Sequence, residues 1–321
     1  MCTTRNQFSG VCMLPTIAYD IEMASFPVGE VALDKDHGWV FGLPRGIRTE
    51  EWPLDPVTGS PLMHGFTLLL PEQYRCHGPE IVGLSFFATP ADLNDGGAQT
   101  DKIFSDLILN GTHAIKPTFD ERMWNMARLK SSTDPWRAYR SHAANKHPRL
   151  HRITDVLDYH YAIILLTAEE INGPQTAPPN LPMRDGKKPT WMTKGAAANL
   201  ELYEHKNLGA VPENRIDWNL AIKFNPRVND PNAGKTPLED WGDNSTASGY
   251  INSHDRENNY ALHGWAKDHG SEHIGGTMRS VQGIPEMSPY YVEFEEYFGG
   301  YNFGSGNAQL DFKEMKFDWA C

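Results

Sequence analysis

The stretch Ile216–Phe224, Ile-Asp-Trp-Asn-Leu-Ala-Ile-Lys-Phe, has an apolar side chain at every second position. Successive side chains point to opposite faces of a β-strand, so this alternation predicts a half-buried strand. Two shorter apolar runs, Thr67–Leu70 and Ile81–Phe87, are bounded by Pro and Gly and also predict strands. We therefore expect two strand-rich ends, residues 26–100 and 201–321.

The middle of the chain has a different pattern. Apolar residues at helical spacing predict a helix from Phe119 to about Lys130, and Asp134 before Pro135 predicts the start of a second helix that ends near Lys146. The apolar run Leu157–Leu166 fits either a strand or a buried helix. The Pro-rich segment 172–194 predicts a loop and an internal boundary.

These patterns together predict an α+β fold. We expect one domain over residues 1–321, with a mixed, mainly antiparallel sheet core and many loops. Residues 101–200 would form a helix- and loop-rich insert between the strand-rich ends. The segment Ser288–Gly299 stays open between a short helix, from its Ser-Pro start and Gly end, and a strand.

The charge of the chain excludes one class of function. The formal net charge is −12, and a nucleic-acid-binding protein needs a basic surface to contact phosphates. The net charge is −7 over residues 1–100 (5 Lys/Arg, 12 Asp/Glu), +4 over 101–200 (14 and 10) and −9 over 201–321 (10 and 19). These charges fit ordinary solvated faces, or an acidic face that steers a basic partner.

Targeting and redox signals predict a cytoplasmic protein. The first 25 residues lack the basic start and apolar core of a signal peptide, and no run is long enough for a membrane span. The four cysteines are scattered, so we expect reduced thiols rather than a disulfide scaffold. The oligomeric state is left open by these observations.

A histidine cluster is the candidate for metal chemistry. Within 20 residues the chain carries His254, His263, His269 and His273, and the last two are spaced as neighbours on one helical face. Imidazoles at such spacing can bind zinc, which makes a metal-dependent hydrolase one alternative function. The glycines Gly270 and Gly275 argue against a helix here, so a polar loop without a cofactor is the competing interpretation.

The glycine-marked runs resemble a known family. The runs Gly42–Pro44, Trp52–Pro53, Gly59–Leu62 and Gly83–Phe87 resemble the opening of the YwqG-like bacterial proteins, whose function is unknown, and His273–Gly283 is similar to that family's later His-x-x-Gly and Gln motif. This resemblance implies a compact α+β protein without an established active site. It also implies a role among bacterial immunity proteins, which bind and block a cognate toxin.

We therefore expect a non-enzymatic protein that binds another protein, possibly a basic toxin. The sequence shows no Gly-x-Ser-x-Gly elbow, P-loop or dinucleotide fingerprint. Interfaces favour Tyr, and acidic groups suit a basic partner. The expected partner-binding face comprises Tyr290, Tyr291, Glu293, Glu295, Glu296 and Tyr297. Carbohydrate binding through exposed Trp and Tyr is the remaining alternative.

Overall fold

The computed structural model describes residues 14–24, 31–91, 102–110, 139, 144–181, 188–196, 216–238 and 249–321. The strands are β1 (Tyr19–Met23), β2 (Gly38–Phe41), β3 (Met63–Leu69), β4 (Ile81–Ala88), β5 (Leu150–Thr154), β6 (His160–Thr167), β7 (Asn219–Pro226), β8 (His254–Asp255), β9 (Ala261–Leu262), β10 (His273–Ile274), β11 (Tyr291–Glu295), β12 (Asn307–Asp311) and β13 (Lys316–Ala320). Strands β8 and β9 form a small separate hairpin, and the other eleven form one sheet.

The predicted α+β fold is wrong, because the described residues form a mainly-β protein. The three described α-helices are short: α1 (Lys102–Asn110), α2 (Ala168–Ile171) and α3 (Trp191–Lys194). None of the described helices is long and apolar enough to cross a membrane. The helices expected over 119–130 and 134–146 lie outside the described residues, apart from Tyr139 in the second.

Both ambiguous apolar runs are strands. Leu157–Leu166 contributes β6, and Ser288–Gly299 contributes β11. Each lies between two partner strands, so pairing on both edges and burial on both faces outweigh any local helix preference. Residues 101–200, expected as an insert, thus supply β5 and β6 to the sheet.

The alternating stretch Ile216–Phe224 does form a strand. β7 starts three residues later than the pattern, at Asn219, and ends at Pro226. Ile222 and Phe224 are buried, whereas Lys223 between them is exposed. The alternation therefore reports a real difference between the two faces at this end of β7.

The sheet curls into a nearly closed barrel, with the strand order β13-β12-β11-β10-β1-β7-β2-β3-β4-β6-β5. Every neighbouring pair is antiparallel, and the number of strands is odd. The edge strands β5 and β13 therefore run in the same direction. They meet through side chains without a backbone ladder: the Trp319 indole of β13 donates to Asp155, just after β5, and Phe317 of β13 packs on Tyr161 of the neighbouring β6 with ring centroids 4.2 Å apart. We call this gap between Leu150–Thr154 and Lys316–Ala320 the seam.

Aromatic rings fill the interior of the curled sheet. Phe86 contacts Phe66, Phe294 and Phe317 with ring centroids 5.1 to 5.6 Å apart. Such ring pairs add specific geometry to the burial of apolar area. The outer face is covered by loops, where Trp52 stacks on Trp191 at 5.8 Å. Among the described strands of the large sheet, only β5 and β13 have an edge without a paired neighbour, and these two edges line the seam.

Candidate functional site

The expected partner-binding face is mostly inside the protein. Tyr290, Tyr291, Glu293 and Glu296 are buried, and only Glu295 and Tyr297 are partly exposed. The reason is the position of β11 between β10 and β12, with loops packed on its outer side. These six residues therefore do not form an exposed surface.

Glu293 instead forms a buried pair with His273, one of the four candidate metal ligands. His273 Nδ1 lies 2.8 Å from the Gly275 carbonyl oxygen and therefore donates to it, which leaves Nε2 as the acceptor facing Glu293 Oε2 at 3.2 Å. Burial raises the pKa of Glu293 to about 7 and lowers that of His273 well below 6.5. Two uncharged groups can thus share one hydrogen bond here, and no solvent reaches them.

Arg227 holds the loops over this outer face. Its guanidinium is fully buried, donates to Asp20 Oδ1 at 2.5 Å and to the Gly270 and Thr277 carbonyl oxygens at 2.6 and 3.1 Å, and lies 3.5 Å from Asp230. A buried charge is stable only when it is paired and hydrogen-bonded, as here. Arg227 therefore fixes the segment that carries His269 and His273.

The four histidines are placed in different surroundings. His254 and His263 lie in and after the β8–β9 hairpin, and His263 stacks on Trp265 at 5.4 Å. The centroid of the His269 ring lies 5.8 Å from that of the same indole, and His273 is buried beside Glu293. Within the described ranges no group of three or more His, Cys, Asp or Glu side chains is arranged to hold a metal ion.

The seam opens on the protein surface as a groove of about 550 Å³. Its walls come from β5 and β13, and its end from the loop before β11; the lining residues are Ile153, Thr154, Pro285, Glu286, Met287, Met315, Lys316, Phe317 and Asp318. A second depression of about 660 Å³ shares Glu286, Met287 and Lys316 with it and extends past Tyr290 and Lys313. Together they make one long, open surface feature beside two strand edges.

The backbone of β5 turns part of its hydrogen-bonding groups towards the seam. The Asp155 N–H donates to the carbonyl oxygen of Tyr159, the residue just before β6, at 3.2 Å. The backbone groups of Asp155 therefore point towards the β6 side. In an antiparallel strand this direction alternates from residue to residue. Thr154 and Arg152 therefore point their backbone groups away from β6 and into the seam.

The same reasoning applies to β13. Phe312 N–H donates to the Tyr290 carbonyl oxygen at 3.1 Å, which directs Phe312 towards β11 and the preceding Asp311 towards β13. Asp311 is paired with Lys316, so the backbone N–H and C=O of Lys316 point to β12. The backbone N–H and C=O of the next residue, Phe317, therefore point into the seam. Both walls of the groove thus offer backbone donors and acceptors to an added strand.

Two carboxylates make the seam acidic. Asp155, just after β5, accepts hydrogen bonds from the Tyr161 hydroxyl at 2.9 Å and from the Trp319 indole at 2.7 Å. Asp318 lies on β13, and burial together with the charge of Asp155 raises its pKa. A cation placed at the seam would relieve this repulsion.

Comparisons with known proteins give no family for this chain. No family model, no curated protein and no solved structure matches it. The resemblance to the YwqG-like proteins stays a prediction. The functional conclusion therefore rests on the geometry of the described residues.

Sequence reasoning missed the seam. A signal for β13 was present, because Lys316–Ala320 alternates polar and apolar residues as Lys-Phe-Asp-Trp. No sequence signal shows that β13 and β5 become neighbours, since the 161 residues 155–315 separate the end of β5 from the start of β13 and only the strand order brings the two strands together.

Proposed function

We propose that this chain is a protein-binding protein that captures an extended segment of its partner at the seam. One observation carries the proposal: the two edge strands run in the same direction and leave their facing backbone groups unpaired with each other. A segment running antiparallel to both would become a twelfth strand and hydrogen-bond to β5 and β13. Strand addition to an open sheet edge is a recurrent mode of peptide recognition.

The seam has to widen to admit a strand. Neighbouring strands are about 4.8 Å apart, so an inserted strand needs roughly twice that distance between β5 and β13. The bond from Trp319 to Asp155 holds the carboxyl ends of both strands together. We propose that the seam opens from the amino ends, where the groove meets the second depression at Lys316. Opening there has to separate His77, whose Nε2 lies 2.6 Å from the Phe312 carbonyl oxygen, from the His151 ring of β5 at 6.2 Å.

The partner segment is expected to be basic with alternating apolar residues. Apolar side chains on the inner face would pack on Phe317, which lies among the interior rings, while a Lys or Arg side chain would lie between Asp155 and Asp318. The net charge of −12 favours encounter with a basic partner. This chemistry agrees with the basic toxin that the sequence analysis expects.

Peptide selection against the full chain tests the proposal. A display library of random peptides is selected on the folded protein, and affinities are measured by calorimetry for the wild type, Thr154→Pro and Thr154→Val. Proline removes the Thr154 N–H from the seam, and its ring blocks an added strand, so affinity should fall about tenfold or more. Valine keeps the N–H and the strand preference, so its affinity should match the wild type.

Three outcomes contradict this function. Peptides that bind Thr154→Pro as tightly as the wild type would show that the seam is not the binding site. Cooperative melting of both variants has to show first that they are folded. Failure of the library to yield any specific binder would do the same. Concentration-dependent dimers that Thr154→Pro abolishes would assign the seam to a second copy of this chain rather than to another protein.

Toxin neutralisation in the cytoplasm is the specific role that we propose for this binding. The few, scattered cysteines of the sequence fit a compartment that keeps thiols reduced. The role is tested by co-expressing the chain with a toxic partner whose segment matches the selected peptides. Growth rescued by the wild type and by Thr154→Val but not by Thr154→Pro would support it, and equal rescue by all three would contradict it.

A further inference from the structure

Two histidine rings lie together at the amino end of the seam. His77 is in the loop before β4, and its Nε2–H donates to the Phe312 carbonyl oxygen at 2.6 Å. Phe312 follows β12 and begins the turn to β13. The ring centroid of His151, on β5, lies 6.2 Å from that of His77. We call His77 and His151 the histidine pair.

The strand directions explain why the histidine pair lies at this end. β4 and β5 are both antiparallel to β6, so they start at the same end of the sheet, and the loop before β4 reaches the start of β5. β12 is antiparallel to β13 and therefore ends where β13 starts. The histidine pair thus connects the two sides of the seam at the end opposite to the bond between Trp319 and Asp155.

The histidine pair forms no ion pair with a carboxylate in the part of the chain that the structure describes. The histidines in ion pairs there are His147, His269 and His273. Four charged side chains on the surrounding elements are engaged elsewhere: Arg75 with the Leu70 carbonyl oxygen, Arg149 with Glu170, Arg152 with the Leu54 carbonyl oxygen, and Lys313 with Glu314. The others, Glu72, Glu80 over Gly78, and Lys316, are exposed, so water screens their charges.

Proton binding distinguishes the closed seam from an open one. Burial lowers the pKa of His151 in the closed seam, and the charge of His77 lowers it further. When the seam opens and His151 reaches water, its pKa returns to about 6.5. The open seam then binds a proton that the closed seam does not, so acid favours opening. His77 keeps its bond to Phe312 when charged, because Nε2–H remains the donor and Nδ1 takes the second proton.

We infer that the histidine pair makes the opening of the seam depend on pH, because two positively charged rings repel each other and separate β5 from the turn between β12 and β13. This regulation rests on the proposed opening of the seam for a partner segment. Uptake of one proton by the open seam favours opening up to about tenfold between pH ~7.5 and pH ~5.5.

NMR relaxation dispersion on the full chain tests the inference without any peptide. Dispersion at the amides of β5 gives the population of a minor open state. We expect this population to rise about tenfold between pH ~7.5 and pH ~5.5, while the indole N–H of Trp319 stays protected at the closed end. An open population that does not change with pH would overturn the inference. Loss of the Trp319 protection over the same range would also overturn it, since it would show unfolding rather than opening at one end.

A pair of variants assigns the pH dependence to the histidine pair. His151→Gln removes the titrating ring and keeps a polar side chain, so its open population should not change with pH. His254→Gln removes a histidine from β8, away from the seam, and should keep the wild-type dependence. Equal pH dependence in both variants would overturn the inference, and the wild-type spectra decide even where a variant does not fold. A pH-dependent open state in a protein that binds no peptide would contradict the proposed function alone.

Discussion

The indole Nε1–H of Trp319 donates to Asp155 Oδ2 at 2.7 Å, and this bond joins the two edge strands of the sheet at their carboxyl ends. Trp319 also stacks on Phe303 at 5.8 Å, which holds the indole in place. The contact closes the curled sheet at one point without a backbone ladder. In the proposed opening, this contact is the end of the seam that stays closed.

Trp319→Phe is expected to loosen the seam. Phenylalanine keeps the stacking on Phe303 but leaves the buried Asp155 with one donor fewer, so the free energy of unfolding should fall by about 1–3 kcal/mol. Chemical denaturation measures this change. Asp155→Asn alone and with Trp319→Phe completes a double-mutant cycle, and a coupling energy of zero would show that the bond contributes nothing.

Gly276 is expected to tolerate no side chain. A Cβ at this position would lie 2.4 Å from Asp230 Oδ2 and 2.5 Å from the Ala18 Cβ, and the backbone φ is +81°. Gly276→Ala should therefore cost about 2–4 kcal/mol of unfolding free energy. Gly264→Ala is the control, because a Cβ there meets nothing within 4 Å. Thermal melting of both variants checks the pair, and similar melting temperatures would contradict the close packing.

The pH dependence of the free energy of unfolding should reveal the titration of Glu272. Burial raises its pKa from 4.5 to about 7 in the folded chain. Between these two values the folded state binds more protons than the unfolded state, so this group's contribution to stability falls as the pH rises from about 4.5 to about 7. The full difference corresponds to about 3 kcal/mol.

Glu272→Gln removes this titration. The variant should gain stability relative to the wild type as the pH rises from about 5 to about 8, and the gain should level off above the folded pKa. Denaturation curves at both ends of this range measure the difference. A constant difference between the two proteins at every pH would show that Glu272 does not titrate in the folded state with a raised pKa.

Some of the fold could be predicted from the sequence because it is encoded locally. The alternation before Phe224 and the apolar run Ile81–Phe87 both predict strands, and both regions form them. The run Leu157–Leu166 could not be assigned, since a strand buried on both faces has no alternation and reads like a buried helix. That ambiguity is one source of the wrong α+β prediction.

The candidate site could not be predicted in the same way. Glu293 and Tyr291 looked like interface residues because interfaces favour Tyr and acidic groups suit a basic partner, but β11 lies inside the sheet and buries them. The seam depends on the order of eleven strands, which is a property of long-range pairing.

Asp318→Asn should separate stability from binding. Removing the charge relieves repulsion with Asp155, so the free energy of unfolding should not fall, whereas a basic peptide selected on the wild type should bind about tenfold more weakly. Asp158→Asn, outside the groove, should leave peptide affinity unchanged. Calorimetry on both variants measures the affinities. Equal affinities for both variants would show that the charge of Asp318 beside Asp155 does not contribute to partner recognition.

Amide hydrogen exchange with a bound selected peptide tests the central claim most directly. The account predicts that peptide binding slows exchange at Arg152, Thr154 and Phe317, whose N–H groups face the seam, because an added strand hydrogen-bonds to both edges. Protection confined to other parts of the chain, with these three amides exchanging as in the free protein, would contradict binding by strand addition at the seam.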